Sequence, residues 1–242
     1  MIRTLLVRGM LAGLAAAALA WVFAYFVGEP ALDGGIAYED MLAAGAAAEE
    51  PMVTRGVQST VGLLVALVVY GVAVGGIFAI VFAAAYGRLG RLSARATAGV
   101  LALVGYVAVI GVPFLKYPSN PPASSADDTI GLRSGTFVLM VVFSVLAAAG
   151  AALLARRLVA RLGTWNGVLL AVLAYVVVVV VVGALLPTVA ETPADFPAAV
   201  LYDFRMSTLG LHAVLWGVLG LLFGALVERG TRRAGAEVAA GS

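Results

Sequence analysis

The chain is 242 residues long and 63% hydrophobic, with a net charge of +2 and no cysteine. A mean hydropathy of +1.07 places it among membrane proteins, and the missing cysteines exclude disulfides and thiolate metal ligands. The pI near 9.1 would suggest a nucleic-acid partner, but the basic residues lie in short connectors rather than on one folded face, so no nucleic acid is expected.

Six apolar runs follow along the chain, near residues 5–28, 57–87, 96–115, 135–155, 166–187 and 207–227. Each matches the ~20 helical residues needed to cross a hydrocarbon core of about 30 Å. The fold expected is all-α: a polytopic transmembrane helix bundle of six spans. It forms a single membrane domain over residues 1–242, with a short cytoplasmic tail at 228–242. The polar stretches are too short to bury a separate soluble core. The first run follows Arg3 and Arg8 as a secretory signal would. It exceeds the ~7–15 apolar residues of a signal peptide and has no small-residue cleavage site before polar sequence, so it reads as a retained helix.

The connectors alternate in charge. Arg3, Arg8, Arg88, Arg91, Arg95, Arg156, Arg157, Arg161, Arg229, Arg232 and Arg233 fall on one side, 11 of the 15 cationic residues. Glu29, Asp33, Glu39, Asp40, Glu49, Glu50, Asp127, Asp128, Glu191, Asp195 and Asp203 fall on the other, 11 of the 13 acidic residues. Loops rich in Lys and Arg stay in the cytoplasm, so the arginine side is inside and both termini are cytoplasmic. With Glu228 and Glu237 set against the inner arginines, the inside carries about +9 and the outside about −7, together the net +2. Arginine outnumbers lysine 14 to 1 beside abundant Ala, Gly and Val, a composition that suggests a GC-rich bacterial genome and hence a bacterial plasma membrane.

All nine prolines lie in or beside the outer connectors, while Arg88–Arg95 and Arg156–Gly163 read as short, proline-free inner hairpins. Each helix returning from outside starts beside an arginine: Arg55, Arg133 and Arg205, spaced by 78 and 72 residues. Three hairpin repeats would produce this spacing, with each outer loop closed by its own arginine. A boundary charge that snorkels would produce it too. Gly9/Gly13, Gly71/Gly75 and Gly220/Gly224 have the small-residue spacing that lets helices approach closely.

No Asp, Glu, Lys or Arg lies centrally in any span, which counts against a self-sufficient proton-coupled carrier. His212, the one histidine, shares a helix face with Thr208 and Trp216. Met140 stands seven residues after Arg133, as His212 does after Arg205. Imidazole and thioether can both ligate late first-row metals. An interhelical hydrogen bond for His212 and core filling for Met140 are the plainer readings. The single lysine, Lys116, lies outside any Gly-Lys-Ser/Thr loop, and one histidine cannot form a zinc-protease pair, so neither an enzyme nor a bound cofactor is expected.

Two outer segments carry distinctive sequence: Phe114-Leu-Lys-Tyr-Pro-Ser-Asn-Pro-Pro-Ala123, continuing through Asp127-Asp-Thr-Ile-Gly-Leu-Arg133, and Pro193-Ala-Asp-Phe-Pro197, continuing through Leu201-Tyr-Asp-Phe-Arg205 to Trp216. On these stretches, and on "LLVRGMLAGLAAA" and "GEPAL…YED", the chain resembles the CbtA family of cobalt transporter subunits. Within the shared segments, Lys116, Tyr117, Pro118, Asn120, Pro121, Pro122, Arg133 and Arg205 form a structural loop motif. The resemblance implies a bacterial membrane protein that takes up cobalt, usually beside a small one-span, histidine-bearing B subunit. Members of that family are described with five spans, whereas the charges here favour six.

The function expected is the membrane subunit of a cobalt, or divalent-metal, uptake transporter. The acidic outer face would concentrate cations, which would shed water near Asp127, Asp128, Asp195 and Asp203 and pass a constriction near His212 and Thr208. Arg133 and Arg205 would hold loop carboxylates in place rather than touch the ion. The alternative is a non-transporting scaffold of a larger membrane complex. The lipid bilayer is the obligatory partner, and a homo-oligomer is compatible with either reading.

Overall fold

The computed structural model describes residues 2–44, 53–88, 90, 92–125, 129–189 and 192–240, with side chains described as far as Thr231. Asp127, Asp128, Glu49, Glu50 and Glu191 lie outside the described residues. The described chain is helical throughout, with short connectors. Five helices are long and apolar enough to cross a membrane: α1 (Ile2–Leu42), α2 (Arg55–Ala85), α3 (Ala94–Lys116), α4 (Ile130–Leu185) and α5 (Ala198–Ala240, with its apolar part in Ala198–Thr231).

Five such helices stand where the sequence divides into six runs, and the difference lies in α4. A straight helix of 56 residues would run about 84 Å at 1.5 Å per residue. Instead α4 breaks at Gly163, which has φ 79° and ψ 167°. Those angles are accessible essentially to glycine alone. The Ser144 hydroxyl meets the Tyr175 hydroxyl at 2.9 Å, and the Met140 methyl lies 3.8 Å from where a Gly183 side chain would begin. Beside the turn, a side chain at Gly167 would start 2.8 Å from the Leu158 carbonyl carbon. The two arms are therefore antiparallel, and each has at least the ~20 helical residues that a crossing takes.

Two helices extend beyond the apolar runs. The first run spans about residues 5–28, and α1 runs on to Leu42 and totals about 60 Å, twice the hydrocarbon thickness. Pro30 does not end it, because a π-helical stretch, Ala24–Gly28, closes two residues before the proline. The widened turn relieves the clash between a proline ring and the carbonyl four residues back. Pro113 repeats the arrangement after the π stretch Tyr106–Gly111 in α3. A third π stretch, Gln58–Gly62, opens α2, where the Ser59 and Thr60 hydroxyls donate back to the Gly56 carbonyl. At the other end, the expected tail beyond residue 228 continues α5 as helix to Ala240.

The chain divides into two compact units. Unit one comprises Met1–Glu29, Glu49–Leu103 and Gly210–Ser242. Its tightest interface is glycine on glycine. A side chain at Gly71 would start 2.6 Å from the Gly13 carbonyl oxygen, and side chains at Gly9, Gly13 and Gly75 would strike backbone in the same way. Without a hydrophobic drive between helices in lipid, such close backbone packing is a main source of association. Ala98 and Ala102 of α3 pack against Gly220 and Gly224 of α5 in the same style. Phe78, Phe82, Trp216 and Phe223 fill the remainder edge to face. Arg55 pairs with Glu29, and Arg95 Nε with Glu228 at 3.1 Å. The turn between α2 and α3 has positive φ at Gly87 and Gly90, and the Ser93 hydroxyl accepts the Ala96 N–H at 3.2 Å to cap α3.

Unit two comprises Pro30–Ala48 and Val104–Leu209. Its core gathers Tyr117, Met140 and Val179, with Tyr175 and Val182 packed around them.

Candidate functional site

In unit two the connector from Tyr117 to Ser125 is tied to both ends of α4 and packs on α5 and α1. Tyr117 donates its hydroxyl to the Pro187 carbonyl at 2.6 Å, just past α4. Lys116 Nζ donates to the Thr188 hydroxyl at 3.1 Å. Ser119 donates to the Thr208 hydroxyl on α5 at 3.1 Å. Arg205, also on α5, donates through Nε to the Ser119 carbonyl at 3.3 Å and through Nη2 to Asn120 Oδ1 at 2.9 Å. Arg133, in the first turn of α4, donates to the Ser125 hydroxyl. Pro121 and Pro122 press on α1, where a side chain at Gly35 would begin 2.9 Å from the Pro121 ring.

The connector turns sharply at Pro121–Ser124. Ser124 returns both its N–H, at 3.3 Å, and its hydroxyl, at 2.6 Å, to the Pro121 carbonyl. Pro122 occupies the position that a preset φ favours, and Ala123 takes φ 58°. A positive φ at an alanine costs about 1–2 kcal/mol, so the surrounding bonds must hold it there.

These contacts border a cleft of about 250 Å³ lined by Tyr117, Pro118, Asn120, Arg133, Val189, Thr192 and Arg205. Its charged groups among the described residues are two guanidiniums. The sequence pattern has Arg205 holding a loop carboxylate, but it grips a carbonyl and an amide instead. It also closes the second connector rather than its own, whereas Arg133 binds Ser125 in the connector it follows and Arg55 pairs with Glu29 on α1. The reason is chain proximity: Ser119 and Asn120 lie against α5, a neighbour that residue spacing does not reveal.

Of the expected metal-approach residues, Asp195 and Asp203 belong to unit two, while Asp127 and Asp128 lie outside the described residues. Asp195 is exposed and lies beside Tyr38, whose ring meets Phe196 edge to face at 4.7 Å. Asp203 is exposed on α5. Among the described residues, no group of three or more His, Cys, Asp or Glu could hold a metal ion. Thr208, expected to share a role with His212, donates to the Phe204 carbonyl and accepts from Ser119. Met140 is buried in the unit-two core.

In unit one, His212 packs edge to face on Tyr70, with ring centres 5.9 Å apart. Its Nδ1 is buried without a hydrogen-bond partner among the described residues, as is Trp216 Nε1 one turn further along α5. By contrast, the indole N–H of Trp21 reaches the Thr60 carbonyl at 3.1 Å, inside the α2 π stretch. Tyr70 and Trp216 thus join His212 in a patch of polar aromatics. Tyr70 carries no sequence signal, being one apolar-run residue among many.

Neither a curated protein nor a solved structure matches the chain. A protein family does match, over residues 2–228, nearly the whole length: the probable cobalt transporter subunit, CbtA. An all-helical, apolar chain with a tightly tied proline-rich connector therefore belongs to the CbtA family of cobalt transporter subunits.

Proposed function

We propose that this chain, as the membrane subunit of a cobalt uptake transporter, supplies the passage through the bilayer while a small one-span, histidine-bearing partner contributes further ligands for the ion. In this reading the chain lies in a bacterial plasma membrane with both termini in the cytoplasm, as the arginine distribution favours. Carboxylates of the outer connectors, Asp195 and Asp203 with Asp127 and Asp128, raise the local concentration of divalent cations, an effect that weakens as salt screens it. His212 is the point in the apolar interior where a passing ion meets a lone pair. Imidazole suits cobalt(II), and cobalt here is cargo rather than a resident cofactor.

The observation that carries this reading is the buried, unpartnered Nδ1 of His212 beside the equally unpartnered indole of Trp216. A buried polar atom without a partner costs about 1–3 kcal/mol, so its retention favours a role. Radioactive cobalt accumulation in cells expressing the chain with its partner tests the proposal. Wild type should accumulate cobalt above vector controls, and His212→Ala should lose at least about tenfold, the loss of one ligand interaction of roughly 1.4 kcal/mol or more. Equal accumulation by mutant and wild type removes the histidine from the path. Equal accumulation with and without the chain overturns the transport role itself.

A further inference from the structure

We infer that the exposed face of α4 running from Leu146 to Arg161 holds an anionic phospholipid, its headgroup on Arg157 and Arg161 and its acyl chains on the apolar residues before them. Leu146, Gly150, Leu153, Arg157 and Arg161 are all exposed. Their spacings of 4, 3, 4 and 4 residues keep them within about 80° of one another at ~100° per residue. The face is therefore apolar along its first two turns and cationic along the next two. Leu146 and Leu153 are 62% and 61% exposed. Between them, a side chain at Gly150 would meet nothing within 4 Å, so the helix carries a notch that an acyl chain can fill.

The charge at the end of this face has no counterpart on its own element. Arg156, Arg157 and Arg161 are exposed and make neither an ion pair nor a hydrogen bond among the described residues. Every residue from Thr129 to Val189 is described, and none is acidic. Asp128 and Glu191 stand beyond the far ends of the two arms, each of which runs about 30 Å or more. The arginine-rich segments contain two carboxylates, both in unit one. Glu228 pairs with Arg95, and the side chain of Glu237 lies outside the described ones. One carboxylate cannot offset three guanidiniums.

The turn itself has the character of a headgroup-level element. It is closely packed, because a side chain at Gly167 would begin 2.5 Å from the Val159 nitrogen. The second arm then opens with Trp165, 81% exposed. A bare indole at this level is the amphipathic group enriched where membrane meets water. A guanidinium is weakly hydrated and matches phosphate oxygens in pairs. Snorkelling alone would need only water beyond the apolar layer, so it would show no preference for lipid charge. The inference rests on the reversal of α4 at Gly163, and on neither the ion path nor the side of the membrane that the turn faces.

Thermal unfolding of the purified chain in a neutral detergent tests the assignment, with dioctanoyl phosphatidylglycerol and dioctanoyl phosphatidylcholine as probes. Each shift is read against the same variant without lipid. Phosphatidylglycerol should raise the wild-type midpoint by several degrees more than phosphatidylcholine does. That difference should vanish in the Arg157→Gln, Arg161→Gln double variant. It should persist in Arg88→Gln, whose arginine belongs to unit one. Equal shifts with the two lipids in wild type, or a difference that survives in the double variant, overturn the inference. An equal shift with inorganic phosphate overturns it too, by assigning the guanidiniums to a free ion. A single cysteine at Thr164 reads the reversal separately, and in liposomes it should react with a water-borne thiol reagent. A cysteine unreactive from both faces refutes the reversal and the lipid site with it, whereas a reactive one without lipid preference refutes the lipid site alone.

Discussion

Arg205 Nη2 donates to Asn120 Oδ1 at 2.9 Å across 85 residues of sequence, joining α5 to the proline-rich connector. With its second bond, to the Ser119 carbonyl, the guanidinium organises the most distinctive segment of the chain. Arg205→Ala should lower stability by more than the ~1.5–3 kcal/mol of one hydrogen bond to a charged group, because two are lost. Arg205→Lys should recover only part of it, since an ammonium cannot span both acceptors in a plane. Unfolding midpoints of the three proteins in one detergent check this; a lysine variant as stable as wild type would show that charge alone matters.

Gly71 and Gly13 bring α2 and α1 into backbone contact. Gly71→Ala should cost about 1–3 kcal/mol, because the new methyl meets the Gly13 carbonyl and the rigid neighbour cannot yield. Gly217→Ala, where nothing lies within 4 Å, should be tolerated and gain helix propensity. The comparison reads packing apart from propensity, and similar destabilisation by both would remove the packing explanation.

Ala123 sits at φ 58° after Pro122. Ala123→Gly relieves the roughly 1–2 kcal/mol of left-handed strain and gives back about 0.5–1 kcal/mol in unfolded-chain entropy. A neutral or slightly raised unfolding midpoint is expected, whereas a clear fall would contradict the turn geometry.

Gly163 should resist substitution for the opposite reason. Its φ 79°, ψ 167° pair is closed to alanine. Gly163→Ala should cost about 1–3 kcal/mol even though no atom crowds the site, and the loss should appear as weakened pairing of the α4 arms. Protease sensitivity near residue 163 is the measurement, and unchanged resistance would contradict the reversal.

Much of the fold was legible in the sequence. Apolar runs and alternating charges are driven by the same transfer energies that set membrane insertion, and the inner hairpin at Arg156–Gly163 closes on a glycine that only its backbone angles explain. The continuation of α1 through Pro30 was not legible, because a π turn absorbs the proline and its sequence signature is little more than Gly28. Glycine spacing suggested close helices, but nothing in it specified that Gly9 and Gly13 face Gly71 and Gly75. The cleft was the least legible feature. Its lining residues were recognised as a loop motif, yet Arg205 reaches another connector, and that pairing exists only in the folded chain. The buried nitrogens of His212 and Trp216 share a face as i, i+4 spacing required, while Thr208 on the same face is occupied by Ser119.

The most direct test is labelling of single cysteines at Ser125 and Thr192 with a membrane-impermeant thiol reagent on intact cells, in a chain with no native cysteine to interfere. These positions flank α4. If α4 turns back at Gly163 and the proline-bearing connectors face outward, both cysteines react from outside. Labelling of only one, with the other reached only after lysis, would mean that α4 crosses once and would contradict the six-pass arrangement.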